Sequence, residues 1–230
     1  MKTIGMIGGM SWESTQHYYE IMNQYIHAQL GRHNSIESIL YSVNFERILE
    51  LIHQNGWEVV GKELAHLAQK LEIAGADFLI MTVNTTHKVF DQIEAAITIP
   101  VLHIVDPTAK AIQTSGITSV GLIATKITME ENFYKNRLQE QYGIEVLVPE
   151  EDDRTSLHKI IFDELTVGKI CDASREKLLR VIERLSKRGA KGVILGCTEL
   201  TLLLHQKDTK TPLFDTTELH AKAAVDFALL

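Results

Sequence analysis

The sequence predicts an α/β protein of two pseudo-symmetric lobes, each a parallel sheet flanked by helices, produced by internal duplication. The first observation is Gly189-Ala-Lys-Gly-Val-Ile-Leu-Gly-Cys197-Thr198-Glu199-Leu200, an apolar run that stops abruptly in Gly-Cys-Thr-Glu. Such a run between glycines reads as a strand buried on both faces, with Cys197 at the carboxyl end where open α/β sheets gather ligands. The second is its copy, Gly75-Ala-Asp-Phe-Leu-Ile-Met-Thr-Val83-Asn84-Thr85-Thr86-His87; a shift of 114 positions lays Gly75 on Gly189 and Val83 on Cys197. The third is that the flanks repeat in the same order. Pro100-Val-Leu leads to Ala109-Lys-Ala as Pro212-Leu-Phe leads to Ala221-Lys-Ala, and Thr3-Ile-Gly-Met-Ile echoes Ser119-Val-Gly-Leu-Ile.

The elements follow in order. Residues 3–7 read as a strand, and Gly8-Gly9-Met10-Ser11 as a tight turn into a helix from Trp12, with Ser11 as N-cap and Glu13 favoured in the first turn. The amides of that turn suit an anion, although two glycines also serve a sharp turn alone. A second strand is expected over 38–43, then a short helix opened by Asn44. Arg47 on it is a candidate carboxylate clamp, since its planar fork matches a carboxylate; a solvated surface charge is the simpler alternative. Val60, Leu64, Leu67, Ala68 and Leu71 trace one face of a helix leading into a strand over 77–81, after which Asn84 is expected to cap the helix holding His87.

In the second half, Thr128 and Glu131 have capping-box spacing, which predicts a helix start there and a helix through Tyr142. A strand over 144–148, a helix containing 160–165 and a charged amphipathic helix over 173–188 lead to the strand before Cys197. Asp215-Thr-Thr-Glu218 opens the last helix. Cys171 lies in a connection between helices with no glycine turn beside it and reads as structural. His87 and His103 read as packing or capping residues.

Composition excludes several classes. The 230 residues are 45% hydrophobic and 23% charged, enough to bury a full core. No apolar run nears the roughly 20 residues that span a bilayer, and the start runs straight into strand-like sequence, so a cytoplasmic location is expected. A net charge of −7 argues against a nucleic-acid surface. Two cysteines without paired spacing and ten scattered histidines give neither a disulfide framework nor a metal site. Neither a dinucleotide fingerprint nor a phosphate loop occurs.

Ile4-Gly-Met-Ile-Gly-Gly-Met-Ser-Trp-Glu-Ser-Thr15, Asn84-Thr85-x-His87 and Gly196-Cys197-Thr198-Glu199, in this order, resemble the aspartate/glutamate racemase family, in its amino-acid racemase branch. The resemblance spans the chain. It implies a homodimeric isomerase acting on an acidic amino acid without organic cofactor or metal, its active site in a cleft between lobes 1–105 (joined by a helix over 216–230) and 106–215. It also implies two cysteines that exchange the substrate's α-proton from opposite faces. Cys197 matches the second of these; the first falls at Val83, which can neither accept nor deliver a proton.

A base touching the α-hydrogen and hydrogen-bond donors for the developing carbanion are what such chemistry needs. Cys197 is therefore the candidate acid/base, a helix starting near Thr198 being expected to favour its thiolate. Met10, Ser11, Arg47, Asn84, Thr85, Thr128 and Thr198 are the candidate substrate contacts. Two alternatives remain open. A single-cysteine decarboxylase of the same superfamily would need only one acid, and a binding protein would retain the pocket without turnover.

Overall fold

Runs with no polar face become central strands here, and shorter or half-polar runs become edges. In a computed structural model that describes residues 1–230, the chain divides into two units, Met1–Ile104 with His220–Leu230, and Val105–Leu219. In the first unit, β1 (Ile4–Gly8) is followed by α1 (Trp12–Leu30), β2 (Ser38–Ser42), α2 (Phe45–His53), α3 (Trp57–Ile73) and β3 (Phe78–Met81). A 3-10 turn over Thr85–Val89, α4 (Phe90–Glu94) and the two-residue β4 (Val101–Leu102) complete it. All four strands are parallel, in the order β2-β1-β3-β4. Every residue of β1 and β3 is buried, whereas β2, at the edge, is half exposed.

The second unit repeats the plan. It runs α5 (Val105–Thr114), β5 (Ser119–Ala124), α6 (Lys126–Glu130), α7 (Asn132–Tyr142), β6 (Glu145–Leu147) and α8 (Glu151–Lys159). A π-helical turn at Ile160–Glu164 and a 3-10 turn at Leu165–Val167 precede α9 (Asp172–Lys187) and β7 (Gly192–Gly196). The 3-10 turns Thr198–Leu202 and Gln206–Asp208, β8 (Leu213–Asp215) and α10 (Thr216–Leu229) end the chain. The strand order β6-β5-β7-β8, again all parallel, matches the first sheet position for position. The duplicated segments thus occupy equivalent strands, β3 and β7.

The core of the first unit joins Ile4, Met6, Tyr18, Met22, Ile26, Phe78 and Ile80 to Ala221, Ala224, Val225 and Ala228 of α10. No helix of the chain is long and apolar enough to cross a membrane.

Local chemistry decided three boundaries differently from the sequence pattern. The helix expected from the Thr128/Glu131 spacing starts earlier: Thr125 holds the extended N-cap backbone, α6 stops at Glu130, and Glu131 is itself extended and N-caps α7. Asn84 makes no side-chain cap; its backbone is already helical and its carbonyl accepts the His87 N–H at 3.1 Å. The segment containing 160–165 continues α8 as a π turn rather than forming a helix of its own. By contrast Ser11 caps α1 through Ser14 N–H at 3.2 Å, and Asp215 Oδ1 accepts from Thr217 and Glu218 N–H at 2.8 and 3.2 Å.

Candidate active site

In the second unit, Ala124 of β5 pairs with Gly196 of β7, so Thr125 and Cys197 leave neighbouring strands side by side. A side chain on residue 196 would meet Leu122 and the Ala124 methyl at 2.9 and 3.0 Å, so glycine spares the two strands a tight contact just before the thiol. The backbone then tightens into the 3-10 turn, with Leu200 N–H donating to the Cys197 carbonyl at 3.2 Å. This turn folds residue 199 back onto residue 197. Cys197 Sγ donates to Glu199 Oε2 at 2.9 Å, and Thr198 Oγ1 donates to the same oxygen at 2.7 Å. All three side chains are buried. Beside them the hydroxyls of Thr125 and the fully buried Thr128 lie 3.1 Å apart.

This arrangement corrects the electrostatics expected from sequence. Burial, and then the charge of Glu199 and the hydrogen bond to it, push the Cys197 thiol well above its ordinary range. The five-residue 3-10 turn has no long aligned dipole to offset them. Cys197 therefore rests as a thiol aimed at a carboxylate. Glu199 was visible in the motif but carried no assigned role; the contact forms where the extended N-cap Cys197 meets the first residues of the turn.

In the first unit, Gly9 follows β1 with φ +89, a left-handed value that glycine adopts freely, and a Cβ there would meet the Val43 backbone N at 2.6 Å. The turn is held by one side chain that sequence reasoning passed over. Thr15 Oγ1 donates to the Ser11 carbonyl at 2.9 Å and accepts from Gly9 N–H at 2.8 Å. Its single proton is thus committed, so in the 2.9 Å contact between Thr15 Oγ1 and Thr82 Oγ1 the donor is Thr82. Ser14 Oγ adds a bond to the Thr82 carbonyl at 2.7 Å. The network fixes Met10 and Ser11, both buried, against the end of β3, and it uses up the Thr82 proton beside half-buried Val83.

Asn84 and Thr85 follow Val83 directly into the Thr85–Val89 turn. Arg47, on α2, lines a surface pocket of about 300 Å³ with Asn44, His66 and Lys70, and its guanidinium pairs with Glu63 at 2.6 Å. Cys171 is exposed at the start of α9 and makes no capping hydrogen bond.

Two parallel sheets of one topology, with a buried thiol–carboxylate pair at the end of a central strand of the second, define a duplicated α/β scaffold. The Asp/Glu/Hydantoin racemase family profile matches residues 7–224. The chain belongs to this family of isomerases. It is 25% identical over 227 residues to the broad specificity amino-acid racemase RacX of Bacillus subtilis (strain 168), covering 96% of each chain. Among solved structures it is similar to a candidate Asp/Glu racemase of Yersinia pestis, with 47% identity, a TM-score of 0.94 and complete (100%) coverage of both chains. It is likewise similar to an aspartate racemase homologue of Pyrococcus horikoshii OT3, with 37% identity, a TM-score of 0.87 and 100% coverage of both.

Proposed function

We propose that the protein is a cofactor-independent racemase of acidic amino acids, aspartate or glutamate, in which Cys197 carries the α-proton and Glu199 sets its protonation. The observation that carries this reading is the Cys197 Sγ to Glu199 Oε2 hydrogen bond of 2.9 Å in a buried turn. The pair holds one proton and one negative charge. Moving that proton from sulfur to the carboxylate creates a thiolate without changing the pair's net charge, so the step avoids most of the desolvation cost of a lone buried anion. The thiolate takes the substrate's α-proton and becomes a thiol; in reverse, the thiol returns a proton to the carbanion and Glu199 gives its own back to sulfur. The Thr198 hydroxyl donates to the same Oε2 at 2.7 Å and holds the carboxylate in place beside the sulfur. Backbone amides at the strand ends, with Met10, Ser11, Arg47, Asn84, Thr85, Thr128 and Thr198, are the proposed substrate contacts.

The direct test is incubation of L- and D-aspartate and L- and D-glutamate in deuterated water, following α-deuteration and chirality together. The expected result is rapid exchange of an L enantiomer that outpaces its inversion. No exchange with any of the four would remove the racemase reading and leave amino-acid binding. The single thiol, resting protonated, also suits a decarboxylase, since that reaction needs one acid only; carbon dioxide release from a malonate-type substrate would favour it.

Glu199→Gln separates the role of the carboxylate from that of the thiol. Without the charge, the thiol ionises at lower pH. Because alkylation follows the thiolate, the iodoacetamide rate should rise at lower pH in the variant than in the wild type. Proton exchange should nevertheless fall, by about 10²-fold, because the amide cannot take the sulfur's proton. An unchanged alkylation profile would show that Glu199 does not govern the thiol.

A further inference from the structure

The first unit buries three imidazoles, His87, His103 and His220, exposed by 2, 4 and 0%. Two of them have readable tautomers. His220 Nδ1 meets the Tyr18 hydroxyl at 3.0 Å and Nε2 meets the Leu102 carbonyl at 3.0 Å; a carbonyl only accepts, so Nε2 carries the hydrogen and the phenol donates to Nδ1. His87 is the reverse. Ile104 N–H donates to His87 Nε2 at 3.2 Å, so that nitrogen presents its lone pair, and Nδ1–H donates to the Val83 carbonyl at 2.8 Å. The His87 ring is fixed further by His103, at 4.6 Å between centroids, and by Phe90, stacked at 6.2 Å with 9° between planes.

We infer that His87 is a positioning residue for the reaction: in its neutral Nδ1–H form it clamps the Val83 carbonyl and thereby aims the Asn84 N–H as an oxyanion donor. The Val83–Asn84 peptide is trans. In a trans peptide the carbonyl and the following N–H point in opposite directions, so holding the Val83 oxygen against the ring turns the Asn84 N–H away from it. The clamp is local on one side, four residues back along the chain, and long-range on the other, at the peptide leading out of β4. It therefore fixes the orientation of that one peptide at the exit of β3 relative to its neighbouring strand. A protonated imidazole would set N–H against N–H at Ile104, so the device works only with the neutral ring. His103 and His220 are the other titratable rings facing it, at 4.6 and 6.1 Å between centroids.

This inference rests on the racemase reading, and two substitutions test it. In His87→Asn the amide nitrogen occupies the place of Nδ1 and keeps the donor to Val83; in His87→Gln the longer chain keeps an acceptor for Ile104 N–H but loses that donor. Loss of one oxyanion donor costs about 10²–10³-fold in kcat. The expected result is a drop of about 10²-fold in kcat with little change in KM for His87→Gln, and activity within a few-fold of wild type for His87→Asn. Independently of turnover, nitrogen-15 shifts of the wild type should report an Nδ1–H neutral His87. The Asn84 amide signal should respond to L-aspartate titration in the wild type and His87→Asn but not in His87→Gln. Equal losses in both variants, an Nε2–H tautomer, or an Asn84 amide that responds equally in all three would overturn the inference. A wild type with no exchange but the expected amide pattern would sink the reaction and keep the clamp.

Discussion

Cys197→Ser should reduce α-proton exchange by about 10²–10⁴-fold while leaving the folded protein intact. A serine hydroxyl can still donate to Glu199 Oε2, so the hydrogen bonding of the 3-10 turn survives, but its proton is far too tightly held to yield an alkoxide at neutral pH. The loss is thus chemical, and the thermal midpoint should stay close to that of the wild type. Cys171→Ser is the matched control. Cys171 is exposed at the N-cap of α9 with no capping bond, and serine is a preferred residue there, so activity should persist and stability should rise by a few tenths to about 1 kcal/mol. Inactivation that tracked modification of Cys171 alone would overturn the assignment of the reactive thiol.

Val83→Cys is expected to act in the opposite direction. Inversion requires a proton delivered to the face of the α-carbon opposite the one it left, and the residue corresponding to Cys197 in the duplicated strand is a valine. The neighbouring hydroxyl of Thr82 cannot substitute, since its proton is spent on Thr15 at 2.9 Å. The hydroxyls of Thr85 and Thr86 are far weaker acids than a thiol, and Thr86 already donates to the Met81 sulfur at 3.8 Å. The wild type should therefore exchange the L enantiomer faster than it inverts it, and exchange the D enantiomer poorly. A thiol at residue 83 should raise D-enantiomer exchange and racemisation in both directions by about 10²-fold or more. Cysteine nearly matches valine in volume and the site is half buried, so the packing cost should stay below about 1.5 kcal/mol. Equal, rapid exchange from both enantiomers in the wild type would sink this account, because it would require an effective second base already present.

What the sequence made legible follows from what each segment buries. β1, β3 and β7 are covered on both faces, so they read as unbroken apolar runs, and their glycine borders marked the ends within a residue or two. The duplication was visible for the same reason, and with it the equivalence of Val83 and Cys197. The capping serine of α1 and aspartate of α10 were legible because caps act within three residues. Features that depend on a turn's pitch were not. The thiol's expected ionisation was reversed by its burial and then by Glu199, which the turn sets against it; no periodicity distinguishes that 3-10 turn from the first turn of an α-helix. Nor could spacing show Thr15 serving Gly9, Ser11 and Thr82 at once, or His87 reaching Ile104, because those bonds cross 67 and 17 residues.

The helix α10 has a consequence for the order in which the protein can be completed as it is synthesised. Residues 1–104 leave the ribosome before 105–230, yet the apolar centre they form includes Ala221, Ala224, Val225 and Ala228. The earlier-made half must wait, its sheet lacking one covering element, while the whole of Val105–Leu219 emerges and is free to fold around its own strands. The half made last is thus the first able to finish, and a nascent chain stalled or cut before residue 220 would hold one finished unit and one with an open apolar face, a ready target for chaperones or proteases.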